Sequence, residues 1–195
     1  MSYQSKIDSQ MNEYGGAPQS TPYFQITEGA NKVRVLSEGA IIASHWVDNQ
    51  FHTCFGKSNG CPHSHEKSDI SIKFLHWVID RKDETTKLAR FPYTVEKKIG
   101  ALSADEDWAF DGFPMPYDVN ITAIGAGTKE VDYNVIASPK QIKLSEAEQT
   151  DYEAQTPVGD IVERMKDKEM KRANPKVEDL PVKEEEPIDP DAMPF

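Results

Sequence analysis

The 195-residue sequence predicts a mainly β fold: a small five-stranded barrel with one interrupting helix and one long irregular insertion, then a helical extension and a disordered acidic tail. Three observations predict it. The stretch Ile70–Arg81, Ile-Ser-Ile-Lys-Phe-Leu-His-Trp-Val-Ile-Asp-Arg, is the longest apolar run and is rich in the β-branched and aromatic residues that suit a pleated surface. About seven short runs of strand character are separated by Gly, Pro, Asn and Asp, a spacing of turns rather than of long helices. From Ser145 onward the composition shifts to 15 acids against 7 bases, so the compact body ends near that point.

Residues 1–22 are polar, carry Gly15, Gly16, Pro18 and Pro22, and read as a flexible arm. The core follows at 23–144. Tyr23–Glu28 and Lys32–Ser37 are short strands joined by the turn-forming Gly29-Ala30-Asn31, and Ala40–Val47 is a third. Phe51–Ser68 has no periodicity. After the central run, Lys82-Asp83-Glu84-Thr85 is a charged turn, so Lys87–Pro92 returns antiparallel. Thr94–Leu102 sets Val95, Ile99 and Leu102 on one face and reads as the interrupting helix. The loop Asp105–Pro116 holds Trp108, Phe110 and Phe113, which fold back on the body. Tyr117–Ile124 and Glu130–Ala137 make a hairpin about Gly125-Ala126-Gly127. Ser145-Glu146-Ala147-Glu148 matches a capping box and opens the extension, 145–173. Its second helix, from Thr156-Pro157 to Arg172, is mostly charged and reads as a solvated spacer. Residues 174–195, with five prolines and seven acids, read as disordered. An OB-fold-like barrel is the simplest match to this order of strands and one helix.

Alternation divides the central strand. Lys73, Leu75, Trp77, Ile79 and Arg81 share one side; Ile72, Phe74, His76, Val78 and Asp80 share the other. Neither side is plainly polar, although an antiparallel strand with one apolar face usually shows water a polar one. Two readings follow. The strand is buried on both sides, or one side stacks a flat, negatively charged ligand, as single-stranded nucleic acid is.

The eighteen-residue loop 51–68 needs a reason to be ordered. Cys54, Cys61, His63 and His65 lie within twelve of its positions, with His52 and His45 just before those four. Gly56, Asn59 and Gly60 permit the tight turn that brings two thiolates to one ion, and Cys61-Pro62-His63-Ser64-His65 adds two imidazoles. Four N/S donors are what tetrahedral zinc takes, and a bound ion replaces the apolar core the loop lacks. The expected ligands are Cys54, Cys61, His63 and His65, with His45 and His52 as alternatives; the site is structural, since protein fills every position. The alternative is two unrelated thiols among surface histidines.

The net charge of −11 argues at first against nucleic acid. Its distribution does not: residues 30–98 hold 11 bases and 8 acids, and the acidity lies behind the core. Two cysteines without an export signal, and no apolar run of membrane-spanning length, lead to the expectation of a cytoplasmic protein with free thiols. In the tail, Asp189 and Asp191 precede Met193, Pro194 and Phe195. A ring with acids beside it suits an apolar pocket with a basic rim, and the same acids, being tethered, can compete with phosphates for the body's cations.

The acidic tract finishing Asp191-Ala192-Met193-Pro194-Phe195 resembles the C-terminal tip of bacterial single-stranded DNA-binding proteins. Asn31–Ser37, Phe74–Arg81 and Tyr117–Ile124 resemble the core of the corresponding proteins of tailed phages. The tip carries fewer acids, the linker is a charged helix, and the Cys/His spacing departs from the metal patterns of that family. The resemblance implies a phage-encoded protein that binds single-stranded DNA without sequence preference, serves replication, recombination or repair in a bacterial cell, and recruits partners through Asp189, Asp191, Met193, Pro194 and Phe195. Stacking rings would come from Trp46, Phe51, Phe74, Trp77 and Tyr93; phosphate contacts from Lys32, Arg34, Lys73, Arg81, Lys82 and Lys97. Two further classes compete: a zinc-stabilised adaptor that contacts only proteins, and a zinc-dependent nuclease or hydrolase. The latter needs an open metal position and a base, and nothing resembles His-Glu-x-x-His. The expectation is therefore a binding protein, not an enzyme.

Overall fold

The computed structural model describes residues 23–128 and 130–174. The flexible-arm and acidic-tail readings, including the five tip residues, lie outside them. The described chain is mainly β, an open eight-stranded mixed sheet with helices against it. Its strands are β1 (Tyr23–Phe24), β2 (Gly29–Val35), β3 (Ala40–Val47), β4 (Gln50–Thr53), β5 (Ile70–Asp80), β6 (Thr85–Pro92), β7 (Tyr117–Ile124) and β8 (Asp132–Gln141). The order is β1-β6-β5-β2-β7-β8, with β3 on β5 and β4 on β3. Only β1–β6 is parallel.

β5 organises the sheet. One edge pairs with β6 from Lys73 to Asp80. The other edge is shared, β3 taking Ile70–Leu75 and β2 taking Val78–Asp80. So β2 and β3 run end to end along one edge, and the link between them is knitted to β5: the Leu36 amide donates to the Trp77 carbonyl at 2.9 Å, and the Trp77 amide to Ser37 Oγ at 2.9 Å. Gly39 lies in this link. A Cβ there would stand 2.6 Å from His76 Nε2, so a side chain would collide with the buried ring.

From Leu75 to Ile79 both sides of β5 are covered. Val78 joins a core of Val33, Val35, Phe91, Val119 and Ile121, closed by Val95 and Ile99 of α1 (Tyr93–Ser103). Leu75, Trp77 and Ile79 join a second core of Leu36, Ile42 and Leu88. That core is closed by Val158 and Val162 of α3 (Val158–Ala173), which follows α2 (Glu146–Glu153). Trp77 is 3% exposed, and its indole N–H donates to the Thr156 carbonyl at 2.8 Å. Burying such side chains stabilises by about 1.5–3 kcal/mol each, which explains why the strand carries no polar face. Trp108, Phe110 and Phe113 fold back on the body as expected.

Three expectations are corrected. The sheet does not close into a barrel: β8 pairs with β7 alone, and α1 lies against β8. A helix there buries the Val135 and Ala137 side of β8 that a barrel wall would otherwise cover. The extension is no solvated spacer either, since its few apolar residues seat on Trp77. And the irregular loop starts late, because Gln50–Thr53 is strand. The capping box forms as read, with the Glu148 amide donating to Ser145 Oγ at 3.3 Å and the Ser145 amide to Glu148 Oε2 at 2.7 Å. Among the described residues, no helix is long and apolar enough to cross a membrane.

Candidate metal centre and its aromatic hairpin

β3 and β4 form a hairpin through Asp48-Asn49, both at positive φ, +50° and +60°. Such a two-residue turn matches the right-handed twist of the strands it joins. The register sets His45 opposite His52 and Trp46 opposite Phe51. Paired residues share a face and consecutive ones alternate, so imidazoles and large rings are sorted to opposite sides. His45 is 1% exposed; Trp46 and Phe51 are 58% and 61% exposed.

After β4 the chain enters a tight loop. Gly56 (φ +96°) and Gly60 (φ +80°) bracket a single 3-10 turn, Lys57–Asn59. The Cys61 amide returns to the Gly56 carbonyl at 3.2 Å, and the Asn59 side-chain amide donates to the Phe55 carbonyl at 2.7 Å. Seven positions apart in sequence, Cys54 and Cys61 thus come side by side.

His45, Cys54, Cys61 and His65 converge, with one ligand atom of each lying within 4.8 Å of the others. His45, Cys54 and Cys61 are buried and His65 is half-buried. Cys54 Sγ stands 3.4 Å from His65 Nε2, and Cys61 Sγ 3.6 Å from His45 Nε2. An ion bound tetrahedrally at zinc-like bond lengths requires N···S edges of about 3.6 Å. Donor type, number and spacing therefore all fit a metal ion. His45 Nδ1 is buried without a partner. With Nε2 on a metal, Nδ1 would carry the proton, the position an outer-shell acceptor usually serves.

The electrostatics point the same way. Burial pushes the Cys54 thiol up, and neighbouring Cys61 adds to it. Burial pushes the His45 imidazole down, with His63 and His65 adding to that. The cluster thus disfavours its own charged forms, anionic and cationic alike. A cation among two thiolates and two neutral imidazoles removes the conflict.

Three of the four expected ligands are in the quartet. His63 is replaced by His45, one of the two alternatives. The His63 ring centroid lies 5.1 Å from those of both His45 and His52, so it borders the site. His52 is engaged elsewhere, its Nδ1 lying 2.8 Å from Glu169 Oε1 on α3. Proximity in sequence favoured His63, whereas the hairpin brings in His45 from nine residues upstream of Cys54. Strand alternation was the signal that could have identified it.

The expected nucleic-acid residues divide into two groups. Trp46 and Phe51 are in edge contact, 4.6 Å between centroids, with Lys73 Nζ 5.8 Å from the Phe51 ring centre. Half-buried Phe74 pairs with exposed Tyr93 at 6.4 Å, beside exposed Ile41, its cross-strand partner. The other group is turned inward. Trp77 is core. Arg34 is 1% exposed, with Nε 2.7 Å from Asp118 Oδ1. Arg81 bonds Asp118, Glu84 and Glu148. Lys32 is half-exposed but 3.5 Å from Asp118. Arg34 and Arg81 are thus neutralised within the fold, which corrects their expected exposure, whereas Lys32 stays exposed. Lys82 and Lys97 are exposed. Comparison of the chain with protein-family models, with curated proteins and with solved structures gives no match.

Proposed function

We propose that this protein binds single-stranded DNA without reading its sequence, through a hairpin whose far side is built on a structural zinc ion. One observation carries the reading: Trp46 and Phe51 stand exposed as a pair with a lysine beside them, on the hairpin whose other face presents His45 to the metal centre. Large rings left in water mark a contact surface, and unpaired bases stack on such rings for about 1–3 kcal/mol each. Phe74 and Tyr93 form a second ring pair on the other side of β5, and Lys73, Lys82 and Lys97 supply phosphate contacts. Zinc is the ion favoured by an S₂N₂ donor set, and when bound it would cross-link the loop to β3. With four protein ligands there is no open position for hydrolysis, so the metal serves structure. Asp189, Asp191, Met193, Pro194 and Phe195 are assigned to recruiting replication or repair proteins.

A second reading has an observation of its own. Arg34 and Arg81 are tied up in internal ion pairs and the chain carries a net charge of −11. That balance favours a zinc-stabilised adaptor whose exposed rings meet protein. Titration of labelled oligo(dT) at low and moderate salt separates the two. Tight, length-dependent, salt-sensitive binding is expected; no binding at low salt, with or without residues 183–195, leaves the adaptor.

A further inference from the structure

α3 touches two chemically different surfaces. Its first turns seat Val158 and Val162 on Trp77 and Leu88, in the apolar core. Its last turns meet the metal module and the β4 strand that leads into it. Met170 packs on Cys54, Phe55 and Cys61. Next to it, Glu169 Oε1 accepts from His52 Nδ1 at 2.8 Å, both side chains 14% exposed. One turn on, Arg172 Nη2 donates to Gln50 Oε1 at 3.3 Å. The module beneath has little apolar matter of its own: Cys54, Phe55 and Cys61 form its whole buried cluster among the described residues, and two of these three are ligands.

We propose that the last two turns of α3 are the retaining cover of the metal centre, and that the ion in turn holds those turns down. Met170 closes one apolar side of the Cys54–Phe55–Cys61 cluster, so that water, a competing chelator or an oxidant is kept from the ion on that side. Glu169 positions His52, and through it the β4 strand that delivers Cys54. Both are positioning residues and neither is a ligand. The coupling is reciprocal by linkage: whatever the cover adds to metal retention, the metal adds to docking of the cover. The first turns of α3 stand outside this coupling, because their partners in the sheet core are ordered by burial alone. The inference rests on the metal reading of the site and is independent of DNA binding.

The test is metal release from the full chain. Protein loaded with one equivalent of zinc is mixed with excess chromogenic chelator, and the rate is compared for the unaltered chain, Glu169→Ala, Met170→Ala and the surface control Glu163→Ala. Ala is a good helix former, so the helix itself is retained. Release from the Glu169 and Met170 variants is expected to be faster by about tenfold, the low end of outer-shell effects, with the control unchanged. Amide exchange on the unaltered chain adds a measurement that needs no variant: removing zinc should expose the amides of 166–173 and leave those of 161–164, the first with helical acceptors, protected. Equal release rates, or an α3 that loosens evenly or not at all, overturn the proposal while leaving the metal centre standing. Failure to retain a stoichiometric ion removes the metal centre, and the proposal with it.

Discussion

The sheet core and the metal module are held together by opposite means. Around β5, more than twenty buried apolar side chains pack from both faces. From Cys54 to Asp69 there is one large apolar side chain, Phe55, and three donor atoms that cluster with a fourth from His45 on β3. The first region is stabilised by many small, replaceable contributions, the second by a few contacts that stand or fall together. The difference teaches where single changes matter. A core tolerates one altered methyl group at modest cost, whereas a donor set loses its geometry with one ligand.

The largest effect expected follows from removing the ion or replacing Cys54 or Cys61 by Ser. The module should lose its order outright while the sheet keeps its own, read as protease cleavage confined to 54–69 with unchanged β-sheet circular dichroism. Collapse of the sheet at the same chelator concentration would show the two regions to be one cooperative unit. Next come the buried residues of the sheet. Trp77→Ala should cost about 3–5 kcal/mol in denaturant unfolding. Asp118→Ala should cost a similar amount, about 3–5 kcal/mol, since it leaves Arg34 buried with its charge uncompensated. Both variants should retain one equivalent of zinc, and loss of zinc from either would break the division.

On the open face of the hairpin, Trp46→Ala and Phe51→Ala should change stability by no more than about 0.5 kcal/mol. Their oligo(dT) affinity should fall by about 1–3 kcal/mol per ring, measured by fluorescence anisotropy. Undiminished affinity in the double variant would remove the stacking platform. The smallest effect concerns Glu148. Burial works against its charge, but the Ser145 amide and the Arg81 guanidinium outweigh that and hold the carboxyl at about 2, below its ordinary 4.5. A depressed folded value means stability present above 4.5 and lost as pH falls toward 2. Glu148→Gln should therefore be less stable than the unaltered chain at neutral pH by about 1 kcal/mol, with the gap closing between pH 4.5 and pH 2.

Local features of this chain were legible in its sequence, and long-range ones were not. β5, its apolar content on both faces, the β7–β8 hairpin and the Ser145 capping box follow from period and spacing over a few residues. So do Cys54, Cys61 and His65, placed together by one glycine-bracketed turn. His45 required knowledge of which strand pairs with which. Whether Trp77 faced water or a helix depended on where α3 lies. Moreover, α3 gave little sign of docking because only two valines, one isoleucine and two methionines make its apolar contact. Arg34 and Arg81 looked like surface cations because Asp118, the carboxylate that claims both, lies 84 and 37 positions away. Open or closed sheet is likewise decided by what covers β8, a partner chosen in space.

The hairpin register ties the two sides of the protein to one count. Sliding β4 by a single residue against β3 would turn every side chain to the other face, setting Phe51 toward the thiolates and His52 toward water. A chain in that register cannot assemble the donor set, so an ion that binds this cluster would reject it during folding. Such an ion would in this sense proofread strand pairing. Inserting one residue between Gln50 and Phe51 should abolish metal retention and the outward ring pair in a single stroke.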